Sequence, residues 1–130
     1  MDWKVLVADD DKLIRETVSD FLASDKRCQV ITATDGEEAQ KLALVETPDL
    51  IFLDLNLPKV DGWEVCRFLK MSPVTAHIKL VILTGLIQES VRQRTLQFGP
   101  DAFILKPFRA QEILDVLENL LGTQDTAVDQ

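Results

Sequence analysis

Apolar and polar positions alternate along this chain in blocks that predict five strands, each followed by a helix. Apolar runs typical of β-strands cover residues 3–8, 28–33, 50–53, 79–84 and 102–106. Apolar residues at helical spacing recur over 12–23, 37–45, 63–71, 88–98 and 109–121. The third run, Leu50 to Leu53, contains no polar residue, which is typical of a central parallel strand covered on both faces.

Five strand and helix units joined by short crossovers predict one parallel sheet with helices on both faces. We therefore expect an α/β fold, a doubly wound (βα)5 architecture with the flavodoxin-like strand order 2-1-3-4-5. The domain should cover residues 1–122, because Gly122 is a favourable end for the last helix. Residues 123–130 are polar and unpatterned, which predicts a tail or the start of a linker.

Length and composition exclude several classes of protein. The chain has 130 residues, of which 46% are hydrophobic and 28% charged, as expected for one globular domain. Its apolar runs are far shorter than the about 18 residues of a membrane span, so we expect no membrane partner. The residues after Met1 do not resemble a secretory signal, so we expect a cytoplasmic location.

Charge and residue counts narrow the chemistry further. A net charge of −8 argues against nucleic-acid binding by this domain and favours a protein partner. Cys28 and Cys66 lack the spacing of a metal or redox motif. His77 is the only histidine, which argues against a zinc site or a Ser-His-Asp constellation.

Polar side chains stand at the carboxyl ends of four of the five predicted strands. Asp9 and Asp10 follow the first strand, Asp54 the third, Thr84 ends the fourth and Lys106 ends the fifth. Taken alone, Asp54 could simply open a solvated turn. In the predicted strand order, however, these strand ends lie at one edge of the sheet, where α/β folds bind their ligands.

The convergent groups suit metal-assisted phosphoryl chemistry. Three carboxylates at one edge repel one another, and a divalent cation relieves that repulsion. Hard oxygen ligands select Mg²⁺, with Mn²⁺ as a substitute, over zinc. A lysine and a hydroxyl can hold phosphoryl oxygens beside the metal, and an aspartate can act as the nucleophile without a general base.

These residues resemble the receiver domain of two-component response regulators. The resemblance rests on Asp9-Asp10, Asp54, Thr84 and Lys106-Pro107, each after an apolar strand, and on Pro58 and Gly62. It implies that Asp54 is the phosphoacceptor and that Asp10 binds Mg²⁺ directly. It also implies metal binding by Asp9 through water and by the backbone carbonyl of Asn56. Thr84 and Lys106 would bind the phosphoryl group, and Phe103 would be the aromatic switch residue.

The resemblance also implies the partners. The phosphoryl donor would be a sensor histidine kinase or a histidine phosphotransfer protein. The recipient of the signal would be a downstream protein target or an output domain, contacted through the fourth helix, the fifth strand and the fifth helix. A homodimer that forms on phosphorylation is compatible with this scheme. The domain would not be an enzyme, apart from its own phosphorylation and dephosphorylation.

Three alternatives fit these residues less well. A Mg²⁺-dependent phosphohydrolase that forms an aspartyl-phosphate needs an acid/base near its nucleophile, commonly two residues on, where this chain has Asn56. A flavodoxin needs a phosphate-binding loop after the first strand, where Asp9 to Asp11 would repel phosphate. A receiver that docks partners without being phosphorylated would not need the acidic cluster. Two positions, Gly85 and Pro100, differ from the residues usual in the receiver family, but neither is one of the reactive groups.

Overall fold

The computed structural model describes residues 2–85, 93, 97 and 99–122. The strands are β1 (Trp3–Ala8), β2 (Cys28–Ala33), β3 (Leu50–Asp54), β4 (Lys79–Thr84) and β5 (Ala102–Leu105). The helices are α1 (Lys12–Ala23), α2 (Gly36–Glu46), α3 (Gly62–Met71) and a C-terminal helix (Ala110–Leu117), followed by one wider turn (Glu118–Gly122). The helix predicted over 88–98 lies outside the described residues except for two helical positions, 93 and 97, and the segment 123–130 lies wholly outside them.

The five strands form one parallel sheet in the order β2-β1-β3-β4-β5, which confirms the predicted architecture. The register aligns the carboxyl ends of the central strands. Ala8 pairs with Leu53, so that Asp9 is level with Asp54, and Thr84 pairs with Leu105. The polar residues at the carboxyl ends of β1, β3 and β5 therefore meet at one edge.

Two apolar layers cover the sheet, one on each face. Ile51 and Leu53 of β3 pack in the layer that includes buried residues of α2 and α3. Leu50 and Phe52 pack in the other layer, with buried residues of α1 and the C-terminal helix. Every residue of β3 is buried, as its unbroken apolar sequence predicts, and burial on both faces fixes where the strand ends.

Aspartates begin three of the helices at the same edge of the sheet. Asp11, Asp35 and Asp61 cap α1, α2 and α3, each accepting a hydrogen bond from a backbone N–H in the first turn. Asp11 does so through the backbone N–H of Leu13, at 2.9 Å. Such caps let each helix start close to the end of the preceding strand, which keeps the loops around the site short.

The remaining sequence features have structural roles or lie at the surface. Cys66 is buried and Cys28 half-buried, and neither forms a disulfide. Burial raises the pKa of the Cys66 thiol to about 12 and that of the Cys28 thiol to about 11, which leaves both as unreactive thiols. His77 is exposed. Within the described part of the chain, the helices are too short or too polar to span a bilayer.

Candidate functional site

Three carboxylates lie together at the carboxyl edge of the sheet. One carboxylate oxygen from each of Asp9, Asp10 and Asp54 lies within 4.8 Å of the others. Asp9 and Asp54 are buried, whereas Asp10 is exposed. A group of oxygen ligands that opens to solvent on one side fits a hard, partly hydrated cation such as Mg²⁺.

Asp9 is the most firmly held of the three. Its backbone N–H continues the β1–β2 ladder by donating to the Ala33 carbonyl oxygen at 3.1 Å. Its Oδ1 accepts the backbone N–H of Asp11, and its Oδ2 accepts Lys106 Nζ, both at 2.9 Å. Its carbonyl oxygen accepts Arg15 Nη1 at 2.9 Å. A fully buried carboxylate needs such partners, because an unpaired charge in the interior is costly.

Lys106 supplies the positive charge of the site. Its backbone N–H donates to the Thr84 carbonyl oxygen at 2.8 Å, which holds the end of β5 against the end of β4. Its ammonium lies 2.9 Å from Asp9 Oδ2 and 3.5 Å from Asp54 Oδ1. Burial acts against the charged form, but the two carboxylates outweigh it and raise the pKa of Lys106.

Asp54 stands at the last position of β3, in a strongly negative environment. Burial, followed by the charge of Asp9, raises its pKa above the ordinary value of 3.8, although Lys106 and a backbone hydrogen bond from Asn56 act in the opposite direction. The ionised carboxylate is therefore under electrostatic strain. A bound cation or an incoming electrophile would relieve that strain.

Close backbone contacts fix the loop that follows Asp54. Gly62 begins α3 directly against the end of β3: its N–H donates to the Leu55 carbonyl at 2.9 Å, and a Cβ there would come within 2.5 Å of the Asp54 carbonyl oxygen. The same loop contacts the start of α2, where the N–H of Gly36 donates to the Pro58 carbonyl oxygen at 3.1 Å. A Cβ on Gly36 would overlap the Val60 carbonyl oxygen, so only glycine allows this approach.

Lys59 adds a second link between these two loops. Its backbone adopts a left-handed conformation with φ of 69°, and its ammonium lies 3.5 Å from Asp35 Oδ2. Asp35 is also the cap of α2, which joins the loop of residues 55–61 to the first turn of that helix. Asn56 lies in the same loop and is exposed.

Thr84 and Phe103 occupy neighbouring strands. Thr84 ends β4, with its side chain almost fully buried. Phe103 pairs with Ile82 in the β4–β5 ladder and is half-buried against the α2–α3 layer. It lies on the strand that leads to Lys106.

The structure thus brings together the predicted carboxylates and the predicted ammonium group. Sequence reasoning missed Arg15, Gly36 and Lys59, although all three contact site residues or site loops. Arg15 belongs to no recognisable sequence motif, and a charged residue near the start of a surface helix normally faces solvent. Asp35-Gly36 was recognisable only as a turn signal, because its contact with residues 58–60 joins segments far apart in sequence.

Known proteins with similar sequences and structures are numerous. The family model for the response regulator receiver domain matches residues 5–118. The alkaline phosphatase synthesis transcriptional regulatory protein PhoP of Bacillus subtilis is 40% identical over 127 residues, covering 98% of this chain and 52% of PhoP. The DNA-binding dual master transcriptional regulator RpaA of Synechocystis is 39% identical over 122 residues, covering 94% of this chain and 50% of RpaA.

A solved structure agrees with the sequence matches. The chemotaxis protein CheY4 of Vibrio cholerae superposes with a TM-score of 0.86 at 30% identity, covering 93% of this chain and 100% of the CheY4 chain. This chain spans about half the length of PhoP and RpaA. Since the family model covers most of the chain and PhoP is 40% identical over nearly all of it, the chain belongs to the response regulator receiver domain family.

Proposed function

We propose that this domain accepts a phosphoryl group on Asp54, with Mg²⁺ bound beside it, and converts that event into a change of its protein-binding surface. The observation that carries the proposal is the position of Asp54. Its buried carboxylate lies within 4.8 Å of the carboxylates of Asp9 and Asp10, and 3.5 Å from the Lys106 ammonium. Negative and positive groups thus converge on a buried strand-end carboxylate, which can act as a nucleophile.

The donor set suits Mg²⁺, and Mn²⁺ could replace it. Asp10 and Asp54 would bind the ion directly, Asp9 would bind through water, and the backbone carbonyl of Asn56 would complete the protein ligands. All of these donors are oxygens, and the exposure of Asp10 leaves the cluster open to water on one side. When bound, the ion neutralises the carboxylates and holds phosphoryl oxygens.

The chain's own groups support the transfer itself. A carboxylate oxygen of Asp54 forms a bond to phosphorus while the bond from phosphorus to the donor's histidine nitrogen breaks, and that nitrogen keeps the electron pair. The Lys106 ammonium favours the ionised nucleophile and then binds a phosphoryl oxygen. The Thr84 hydroxyl, at the end of the neighbouring strand, would bind another. No general base is required.

We infer a protein donor and a protein recipient. The donor would be a sensor histidine kinase or a histidine phosphotransfer protein. The recipient would be an output domain or a separate target, contacted through the segment 88–98, β5 and the C-terminal helix, with Thr84 and Phe103 as the residues that change position. A homodimer formed on phosphorylation would use the same surface. Such a switch is a shift between two populated states.

The relatives suggest where an output function would reside. PhoP and RpaA are named as transcriptional regulators and are about twice as long as the region they share with this chain. In a longer protein of that kind, DNA contacts would belong to the part outside this domain, because the net charge of −8 disfavours phosphate contacts. The domain would act in the cytoplasm, and it would be a switch and not a turnover enzyme.

Intact mass spectrometry tests the assignment of Asp54. After incubation with acetyl phosphate and Mg²⁺, the parent should gain one phosphoryl group that hydroxylamine removes. Asp54→Asn should gain none, whereas Asp11→Asn, which alters a neighbouring helix cap at the same edge, should be modified like the parent. A phosphoryl group mapped to serine or threonine, or retained in Asp54→Asn, would overturn the proposal.

A further inference from the structure

Arg15 makes an unusual contact for a residue on the first turns of a surface helix. Its Nη1 donates to the Asp9 carbonyl oxygen at 2.9 Å, and its side chain is partly buried. Its own backbone N–H donates to the Asp11 carbonyl oxygen at 3.0 Å. Within the described residues, no carboxylate lies within ion-pair distance of its guanidinium. The group is therefore directed at the backbone of the β1–α1 loop.

The hydrogen bond from Arg15 acts on the peptide group between Asp9 and Asp10. Fixing the Asp9 carbonyl fixes the plane of that peptide. The next peptide is held by the Asp11 N–H, which donates to Asp9 Oδ1, and the two planes together set the direction in which the Asp10 side chain leaves the backbone. Asp9 has other restraints, since both its carboxylate oxygens and its N–H are hydrogen bonded. The Asp10 carboxylate is exposed and has no hydrogen bond within the described part of the chain. Its position therefore depends on the backbone that Arg15 holds.

We propose that Arg15 is a positioning residue of the metal site, which directs the Asp10 carboxylate toward Asp9 and Asp54 through the Asp9 carbonyl. The proposal rests on the function proposed above, because it takes the acidic cluster as a Mg²⁺ site. A guanidinium suits this role, since its planar donors are charged and pre-organised and keep one geometry. Partners that orient metal ligands without touching the metal commonly change its affinity by about 10-fold or more.

Electrostatics and positioning predict opposite results when Arg15 is neutralised. Removing a positive charge near three carboxylates would, by Coulomb's law alone, strengthen the binding of a divalent cation. Losing the restraint on the 9–10 peptide would weaken it, because Asp10 would have to be ordered when the ion binds. Weaker Mg²⁺ binding by a neutral variant can therefore not be a charge effect.

The test compares Arg15→Met with Lys12→Met by titration calorimetry with Mg²⁺ at fixed ionic strength. Both substitutions remove one positive charge from the start of α1, but Lys12 is exposed, and among the described residues its ammonium pairs with Glu16 alone, at 3.8 Å. Arg15→Met should raise the Kd for Mg²⁺ about 10-fold. Lys12→Met should bind as the parent does or slightly more tightly. In metal-free protein, the ¹⁵N shift of the Asp10 amide should move in Arg15→Met and stay in place in Lys12→Met.

Each outcome decides the matter. A parent that binds no Mg²⁺ would refute the proposed function itself. A parent that binds, with Arg15→Met binding equally well or better, would overturn the positioning role alone. The positioning role would also be overturned if Lys12→Met lost as much Mg²⁺ affinity as Arg15→Met. If Arg15→Met does not fold, Arg15→Lys decides at unchanged charge. The shorter ammonium of lysine cannot repeat the guanidinium's hydrogen bond to the Asp9 carbonyl. A Kd for Mg²⁺ that is about 3-fold higher or more in Arg15→Lys supports the positioning role, and a Kd equal to the parent's overturns it.

Discussion

The Lys106 ammonium lies closer to Asp9 than to Asp54, at 2.9 Å against 3.5 Å. Asp9 is fully buried, so Lys106 is its counter-ion within the fold. Asp9 also belongs to the acidic cluster that fits a metal ion. Lys106 therefore stabilises the metal-free protein and at the same time competes with a cation for the same carboxylates.

Lys106→Met should reveal both effects. Without this ammonium the buried Asp9 loses a partner, so the free energy of unfolding in EDTA should fall by roughly 2 kcal/mol. The loss is smaller than for a fully buried ion pair, because Lys106 is 24% exposed. Mg²⁺ should bind about 10-fold more tightly, because a positive charge near the ion has gone. Denaturant unfolding and titration calorimetry measure the two quantities.

The control for Lys106→Met is Lys70→Met. Lys70 carries the same charge but lies at the end of α3, 3.9 Å from Asp101 Oδ2. It should change Mg²⁺ binding little. Unchanged or weaker Mg²⁺ binding by Lys106→Met would contradict the competition between the ammonium and the ion.

A second prediction concerns pH. Burial and the charge of Asp9 raise the pKa of Asp54, so the folded protein binds this proton more tightly than the unfolded chain. Ionising Asp54 therefore lowers stability. The cost is absent below the ordinary pKa of 3.8, where both states are protonated, and complete above the raised pKa. In EDTA at pH 7, Asp54→Asn should melt higher than the parent, and the gain should vanish as the pH approaches 3.8.

Asp35 provides a control of opposite sign. The backbone N–H of Glu38, and after it Lys59, lower the pKa of Asp35, so its ionised form stabilises the fold above its ordinary pKa of 3.8. Asp35→Asn should melt lower than the parent at pH 7, and this difference should disappear only below pH 3.8, as acid protonates Asp35 in the folded protein. Calorimetric melting of the three proteins from about pH 2 to pH 7 at fixed ionic strength, in steps of about half a unit, makes the comparison. A loss of stability at pH 7 in Asp54→Asn would contradict the strain on that carboxylate.

Much of the fold could be predicted because the strands are rich in apolar residues and separated by clear turn signals. The predicted bounds of β1, β2 and β4 agree with the structure, and β3 extends one residue further, to include Asp54. The burial of β3 on both faces leaves one arrangement of helices around it. Once the strand order is known, residues that follow different strands must meet at one edge.

The finer contacts of the site could not be predicted in the same way. Strand order places Lys106 near the acids, but the choice of Asp9 over Asp54 as its nearer partner depends on distances that differ by less than 1 Å. The contact between Gly36 and Val60 joins two loops that share no pattern in the sequence. Such contacts follow from tertiary packing, which periodicity does not report.

Gly36→Ala should damage both the fold and the metal site. A methyl group at this position would overlap the Val60 carbonyl oxygen, which can move only if the loop of residues 55–61 moves with it. We expect a loss of roughly 2 to 3 kcal/mol in the free energy of unfolding. Weaker Mg²⁺ binding should accompany the loss, because the loop carries Asn56. Denaturant unfolding and calorimetry measure the two effects.

Gly85→Ala is the matched control for Gly36→Ala. Gly85 follows β4 at the same edge, and a Cβ there meets nothing within 4 Å. The substitution should change the free energy of unfolding by no more than about 0.5 kcal/mol. If the two alanine variants lost equal stability, the close approach at Gly36 would not be what holds the loop.

The last prediction separates Asp10 from its neighbour Asp11. Asp10 shares the carboxylate cluster, whereas Asp11 caps α1 through the backbone N–H of Leu13, at 2.9 Å. Asp10→Asn removes one of three like charges, so in EDTA the variant should melt slightly higher than the parent. The gain is small because Asp10 is exposed and solvent screens its charge.

Mg²⁺ reveals the larger difference. Binding to the folded state stabilises it by an amount set by the Kd, so the parent should melt higher as Mg²⁺ is added. Asp10→Asn should lose most of that increase, because an amide replaces a charged ligand. Asp11→Asn should keep it, since asparagine caps a helix about as well as aspartate and lies outside the cluster. Calorimetry of the three proteins with and without Mg²⁺ at fixed ionic strength decides between one shared site and separate surface acids. If Asp10→Asn gained the parent's full increment from Mg²⁺, the carboxylates of Asp9, Asp10 and Asp54 would not form a single metal site.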